Sequence, residues 1–349
     1  MTRKQMYKLI KRFLIITFFV FLLSGLTGGG VGYYFFLSPN FAPQQTVYLY
    51  IDPEQDFEHL CRQLKDSAGC LNINSFREVA KILNYPENLK TGRYAVVSGT
   101  NNYDLLKTLR NGQQEPVRIT FNNIRLKEDL SDKLSEQLMI TSQDLNALLN
   151  DASFCASLGF TPVTIKSMFI PNTYEVYWNI SAGKLIERMK REYDAFWTEN
   201  RRDQAQKIRL TPLDVSILAS IIEEESAMTD EYPVIAGLYI NRLHRGIPLQ
   251  ADPTIKYALG NFAIQRVLNE HLQIDSPYNT YLYTGLPPGP LRIPSLKGLE
   301  SVLNYQKHNY LYMCAKEDFS GRHNFAVTLS EHNRNAERYR AELNRRGIR

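Results

Sequence analysis

The stretch from Phe13 through Leu37, FLIITFFVFLLSGLTGGGVGYYFFL, contains no charged residue. About 20 apolar residues suffice for a helix to cross the hydrocarbon core of a bilayer. No water-soluble domain leaves such a segment on its surface, so it spans a membrane or is a leader that is removed. Arg3, Lys4, Lys8, Lys11 and Arg12 precede it with no acidic residue among them, which predicts that the N-terminal end stays in the cytoplasm. Tyr33 and Tyr34 suit the far interface. Gly28, Gly29 and Gly30 weaken the helix there, which makes a cleaved signal peptide the rival reading. No small-x-small site precedes a polar start, so a retained anchor is favoured. The expectation is a cytoplasmic basic tail over 1–12, a transmembrane anchor over 13–37, and everything beyond it outside the cytoplasm.

The formal charge of +5 comes from 41 basic and 36 acidic residues. With the five basic residues of the tail set aside, the remainder is neutral. The basic balance is a topology signal, and nucleic acid is not an expected partner. Cys61, Cys70, Cys155 and Cys314 have no histidine companion at metal-ligand spacing, so no metal and no cofactor is expected. Outside the cytoplasm Cys61 and Cys70 are either a local disulfide or buried thiols.

The chain beyond the anchor is long enough for about two domains. SPNFAPQQ (38–45) reads as a polar linker. TVYLYI (46–51) alternates as a strand does. Phe57, Leu60, Cys61 and Leu64 share a helical face within 56–68. A second helix opens at Asn74 with Val79, Ala80, Ile82 and Leu83 apolar. A turn and strand follow over 90–97, a helix over 103–109 ending at Asn111-Gly112, and a strand over 117–121. This order describes a small α+β module over 46–121. Residues 122–205 read as a connecting region: helical over 126–149 with a break near Thr141, a turn-rich loop over 167–174, and an amphipathic helix over 185–197. The basic face of that last helix reads as solvated. TPLD (211–214) is a strong helix start, with Thr211 as cap and Pro212 in the first turn, and the helix is expected to reach about Met228. Another covers 234–243. Turn-rich loops then occupy 249–254, 276–281, 285–290 and 321–325. Tyr305, Tyr310 and Tyr312 alternate with Leu303 and Leu311 as core residues.

The chemistry gathers in LASIIEEES (218–226). An apolar run delivers carboxylates into a cluster, and desolvation raises a carboxyl pKa toward the range of a general acid. A run of three glutamates is also the ordinary composition of a solvated helix face. At about 100° per residue, Val215, Leu218, Ala219, Ile221 and Ile222 define an apolar face. Glu225 projects nearest its centre, Glu223 lies at its edge, and Glu224 points away. Periodicity thus makes Glu225 the buried carboxylate, with either a structural or a chemical role, and leaves the choice between it and Glu223 open.

LASIIEEES, followed by INRL (240–243), LQADPTIKYALG (249–260), SPYNTY (276–281) and GLPPGP (285–290), with IPNTY (170–174) upstream, resembles the YceG-like endolytic murein transglycosylase family. The resemblance covers nearly the whole chain past residue 45. It implies an α+β protein: a single transmembrane helix, a LysM-like module over 46–121 and a mixed α/β catalytic domain over 206–349. It makes Glu223, the first glutamate of the block, the catalytic residue, which leaves the Glu225 that periodicity buries as a structural candidate. Glu224 stands where a lysine is common, Ser226 where threonine is, and Asn172 where aspartate is usual; the last removes any acidic role at that loop. Asn241, Gln250 and Asn279 become candidates to hydrogen-bond acetamido or hydroxyl groups. Tyr278 and Tyr281 are candidates to pack on sugar faces, and His323 to orient a carboxylate.

The implied reaction cleaves the β-1,4 bond between N-acetylmuramic acid and N-acetylglucosamine in nascent peptidoglycan, giving 1,6-anhydro ends. One carboxyl group suffices as acid and then base. The implied partners are glycan strands and the cell-wall synthesis machinery, at the inner or plasma membrane with the catalytic domain extracytoplasmic. Asp252 reads as a loop-ordering or sugar-contacting residue, because Asp-Pro often starts a turn. Two alternatives stand beside this reading: a lysozyme-like muramidase with Asp252 as second carboxylate, and a non-catalytic peptidoglycan-binding scaffold.

Overall fold

The computed structural model describes residues 3–122, 124–264 and 266–347; for Gln5, Tyr7 and Lys8 it describes the backbone alone, so the Lys8 side chain of the basic flank lies outside the described residues. Helix α1 (Arg3–Phe36) runs through the three glycines without interruption. Each glycine costs a helix about 1 kcal/mol relative to alanine, a weak force against the need to pair every backbone group of an apolar segment. Residues Leu9–Phe36 are long and apolar enough to cross a membrane.

The described chain divides into two compact units, one running to Val117 and including Glu175–Asn179, the other comprising Arg118–Tyr174 and the residues from Ile180 onward. In the first unit, β1 (Val47–Ile51) is followed by α2 (Phe57–Asp66), α3 (Ile73–Ile82), β2 (Gly92–Val96) and α4 (Asn102–Asn111). β1 and β2 pair antiparallel, with Val47 opposite Val96 and Ile51 opposite Gly92. The alternation of β1 buries Leu49 and Ile51 and leaves Tyr48 and Tyr50 outside. The two buried residues join Leu60, Leu64, Phe76, Val79, Leu105 and Leu109 in one core. Asp56, Asn72 and Asn101 cap the three helices, each satisfying a backbone donor that no helix can satisfy internally. Ile82, expected on the apolar face of α3, is 65% exposed at the helix end. The four cysteines are free thiols.

Residues 38–45, read as a linker, carry Asn40 and Phe41, both buried. The Asn40 amide donates to Asn102 Oδ1 at 2.7 Å and to the Asn72 carbonyl at 3.0 Å, and its oxygen accepts from Asn72 N at 2.8 Å. Asn102 in turn donates to the Phe35 carbonyl at 2.8 Å and to Ser75 Oγ at 3.0 Å. This buried polar network ties the end of α1 to α3 and α4. Composition alone reads SPNF as part of a polar linker; the structure uses its one asparagine as an internal cross-brace.

The second unit holds β3 (Val117–Thr120) from Arg118 on, α5 (Lys127–Ser135), α6 (Ser142–Asn150), α7 (Ala152–Ser157), a 3-10 turn at Ile165–Met168, β4 (Thr173–Val176) as far as Tyr174, α8 (Ala182–Phe196), α9 (Glu199–Lys207), α10 (Pro212–Glu225), α11 (Tyr232–His244), α12 (Asp252–Leu259), α13 (Leu296–Leu303), β5 (Tyr312–Ala315), β6 (His323–Ala326) and α14 (Leu329–Arg345). Much of 122–205, expected as a connecting region, lies in the same compact unit as 206–349. Ile293 N donates to the Ile124 carbonyl at 2.8 Å, for example. The break expected near Thr141 is present, with Thr141 as N-cap of α6.

α10 is the centre of this unit. Thr211 and Asp214 form the expected capping box with Pro212 in the first turn. Every residue from Val215 through Ile222 is buried, Ser216 and Ser220 included. The helix is therefore enclosed on all sides rather than lying with one face on a core. It stops at Glu225, short of the expected Met228, because Ser226 turns extended and its hydroxyl accepts from Met228 N at 3.0 Å. Asp252-Pro253, read as a turn, instead opens α12, where proline suits the first turn. β5 and β6 form an antiparallel hairpin with Ala315 opposite His323. Tyr305, Tyr310 and Tyr312 are half-buried rather than core; Leu303 and Leu311 alone are buried.

Asn102→Ala removes two donated hydrogen bonds and one accepted one from the network and leaves Asn40 unpaired at that contact. It is expected to lower the stability of the first unit by about 1–3 kcal/mol. Urea unfolding followed by Trp178 fluorescence in a Trp197→Phe background measures this.

Candidate active site

Three successive glutamates leave the buried end of α10 about 100° apart, and the structure gives each a different environment. Glu223 is 6% exposed at its side chain. Its Oε1 accepts from the backbone N–H of Ser295 at 2.8 Å and from the Ser295 hydroxyl at 2.5 Å. Ser295 is the N-cap of α13, so this carboxyl sits at a helix N-terminus, where negative charge is favoured. Arg292 lies 3.7 Å away. Burial pushes the Glu223 pKa up, against the opposing pull of the Ser295 hydrogen bonds. A Cβ on Gly298 would overlap this carboxylate, so the glycine admits the close approach. Glu224 pairs with Arg125 at 2.7 Å and with Arg292 at 3.2 Å.

Glu225 faces the other way. It lines a cleft of about 430 Å³ together with Tyr239, Arg242, Gln250, Asp252, Tyr281 and His323. The Tyr239 hydroxyl donates to Glu225 Oε1 at 2.8 Å. Burial raises the Glu225 pKa to about 7; the negative charge of Asp252 adds to that rise, while Tyr239 and Lys256 oppose it. The Tyr281 hydroxyl donates to Asp252 Oδ1 at 2.5 Å. His323 hydrogen-bonds Glu231 through both its backbone N–H, at 3.0 Å, and Nδ1, at 2.9 Å. A carboxyl group that gains and loses its proton near neutrality, at the wall of an open polar cleft, has the properties of a general acid and base.

Of the residues singled out from sequence, the structure brings Glu225, Gln250, Asp252, Tyr281 and His323 into this one cleft. It leaves four outside. Glu223 is held against α13 by Ser295. Asn241 donates to the carbonyls of His308 at 2.8 Å and Tyr310 at 3.1 Å, bracing the chain before β5. Asn279 is fully buried and donates to the carbonyls of Leu272 and Ile274. Tyr278 packs its ring 4.7 Å from that of Tyr257. These are the asparagines and the tyrosine expected on sugar, and their polar or aromatic capacity is used within the fold.

Sequence reading missed Tyr239, Arg242 and Glu231. Tyr239 and Arg242 stand three apart on α11 and so share a face, and Arg242 lies inside the INRL block already singled out. It also missed Lys166, 4% exposed, whose ammonium donates to the Arg125 carbonyl at 2.9 Å and to Tyr257 at 3.0 Å. Burial lowers the Lys166 pKa to about 7.

Fold and site together define a mixed helix-and-strand domain with a carboxyl-centred polar cleft, carried behind an apolar N-terminal helix. The chain belongs to the YceG-like family, which matches residues 49–338. A curated relative from Streptococcus pneumoniae (serotype 2, strain D39), named endolytic murein transglycosylase, is 29% identical over 365 residues, covering 95% of this chain and 66% of that protein. A Bacillus subtilis (strain 168) relative of the same name is 37% identical over 164 residues, covering 47% of this chain and 44% of that protein. The alignments thus span slightly under two thirds of the first relative and less than half of the second. A crystal structure of a YceG-like protein from Listeria monocytogenes aligns with a TM-score of 0.53 at 26% identity, over 83% of this chain and 99% of that one.

Gly298→Ala sets a methyl group against the Glu223 carboxylate and is expected to cost about 1–3 kcal/mol. Combined with Glu223→Ala, which vacates that space, the cost of Gly298→Ala should largely disappear. Thermal unfolding of the two single variants and the double variant checks this coupling.

Proposed function

We propose that this protein is a membrane-anchored endolytic lytic transglycosylase acting on peptidoglycan, with Glu225 as its acid and base. The observation that carries this assignment is the place of Glu225 at the wall of a cleft shared with Gln250, Asp252, Tyr281 and His323, with one oxygen held by Tyr239; burial there raises its pKa to about 7. It departs from what the family resemblance implies, which is that Glu223 is catalytic. Glu223 accepts at Oε1 from both the backbone and the hydroxyl of Ser295, the cap of α13, and it is not among the residues that line the cleft. The family membership and the names of the relatives supply the substrate class.

In this reading protonated Glu225 donates to the glycosidic oxygen between N-acetylmuramic acid and N-acetylglucosamine as the bond to C1 breaks. The carboxylate left behind takes the proton from the C6 hydroxyl while O6 attacks C1. The product is a 1,6-anhydro end, no water is consumed, and Glu225 returns to its starting protonation state. Tyr239 steadies the carboxylate form between the two transfers. The apolar helix α1 holds the reaction at the membrane, with the basic flank cytoplasmic and both compact units outside. The module around β1 and β2 is read as LysM-like, and the cell-wall synthesis machinery as the neighbouring partner.

A hydrolase reading is favoured by one observation: Asp252 lies in the same cleft and accepts from Tyr281. Hydrolysis needs a second placed carboxylate and leaves a reducing end. Incubating the purified full chain in detergent with peptidoglycan, then identifying the released muropeptides by mass spectrometry, separates the two. Anhydro ends are expected from the unmodified protein. Glu225→Gln should lower their yield at least a thousandfold, while Glu223→Gln should keep activity within about tenfold. Reducing ends would establish the hydrolase, and equal activity of Glu225→Gln would remove the acid–base assignment and favour a binding scaffold.

The acid must be protonated to act, so kcat/KM should fall as pH rises through about 7, the Glu225 pKa. The Tyr239 hydrogen bond stabilises the carboxylate and lowers that pKa. Tyr239→Phe is therefore expected to move the falling limb to higher pH, by about one unit. A pH–rate profile of both proteins reads the shift, and an unmoved limb would show that Glu225 does not set it.

A further inference from the structure

Gln250 has a backbone conformation that its residue type rarely adopts, with φ at +54°. Non-glycine residues enter this region at a cost and stay there when the surroundings hold them. Here the surroundings are specific. Gln250 N donates to the Thr280 carbonyl at 3.0 Å. Ala251 N donates to Thr280 Oγ1 at 3.1 Å, and the Thr254 and Thr280 hydroxyls lie 2.9 Å apart. The residue is thus pinned on its backbone while its side chain stands exposed at the cleft.

The side chain is pinned as well. Arg242, 6% exposed, donates through one terminal nitrogen to the Leu249 carbonyl at 2.6 Å and through the other to Gln250 Oε1 at 2.9 Å. Its guanidinium also lies 5.4 Å from the centre of the Tyr312 ring. A guanidinium has donors and no acceptor. The glutamine atom facing it must therefore be the oxygen, and the amide cannot be turned round without setting N–H against N–H. The Gln250 NH₂ group is left as a donor pair on the cleft side of the contact.

Resting on the transglycosylase reading, we propose that Arg242 is a positioning residue that makes Gln250 a donor-only contact, selecting sugars that present an acetamido carbonyl oxygen. Both sugars of a murein strand carry that group, and a plain hydroxyl at the same carbon does not reach as far. Gln250 sets specificity by offering donors alone at the distance an acetamido oxygen reaches, and Arg242 acts through it by fixing which end of the amide faces the cleft.

The test uses two neutral β-1,4 oligosaccharides, N-acetylchitohexaose and cellohexaose, which differ in the acetamido group. Binding to the full chain in detergent micelles is measured by titration calorimetry. The unmodified protein is expected to prefer N-acetylchitohexaose at least tenfold. Gln250→Glu keeps the shape and the partner for Arg242 but offers oxygen where the amide offered N–H. It should erase the preference while leaving the thermal midpoint unchanged or raised, a result that loss of structure would not give. Arg242→Met frees the amide to turn and should weaken the preference severalfold; Arg242→Lys, which still offers donors alone, should restore most of it. A preference that survives Gln250→Glu, or equal binding of both sugars by the unmodified protein, overturns the proposal. Binding of neither sugar overturns it too, and the muropeptide assay then reports separately whether the transglycosylase reading stands.

Discussion

The second unit is organised by one electrostatic constraint: a helix buried on every side ends in three consecutive carboxylates. Removing a charged carboxylate from water is expensive unless it is paired or hydrogen-bonded. Successive helical residues point about 100° apart, so one partner cannot serve all three. The fold answers with three separate arrangements. The N-terminus of α13 and its cap Ser295 take Glu223. Arg125 and Arg292 take Glu224. Tyr239 of α11 takes one oxygen of Glu225, and the rest of that carboxyl faces the cleft. Two glutamates anchor neighbouring elements around α10, and the third is left chemically available.

This division also explains why the cleft polar groups behave so differently from those only a few residues away. Tyr281 and Asn279 lie in one short segment. Asn279 is fully buried, and its oxygen accepts from Tyr281 N at 2.9 Å. It shapes the turn that sends the Tyr281 hydroxyl to Asp252. Thr280 between them holds the backbone of Gln250 and Ala251. A single hexapeptide thus supplies one cleft residue and the scaffold for two others. Motif membership marks the whole segment, and only the partners each side chain finds, backbone carbonyls for Asn279 and Asp252 for Tyr281, separate the residues that shape the cleft from those that face it.

Local signals in the sequence were read well where they depend on near neighbours. The capping box at Thr211 and Asp214, the helix break at Thr141 and the Leu60/Cys61/Leu64 face of α2 all follow from spacing within one or two turns. The end of α10 was placed three residues late, since Ser226 is turned out of the helix by contacts with Met228 and Glu231 that follow it. The composition of 38–45 reads as a polar linker. Its Asn40 is buried by partners more than thirty residues away, which no local pattern announces.

By itself the sequence determined the apolar N-terminal helix, the order of most elements and the place along the chain where carboxylates meet an apolar run. These are properties of adjacent residues and of helical or strand periodicity. It also made Glu225 the glutamate nearest the apolar face. Only the tertiary structure decided that the cleft lies on that side. The walls come from α11, which follows α10 directly, and from the start of α12, the segment at Tyr281 and the β5–β6 hairpin, which lie farther along the chain. A carboxyl's pKa and reach depend on what surrounds it in space, and those surroundings exist only once the chain has folded.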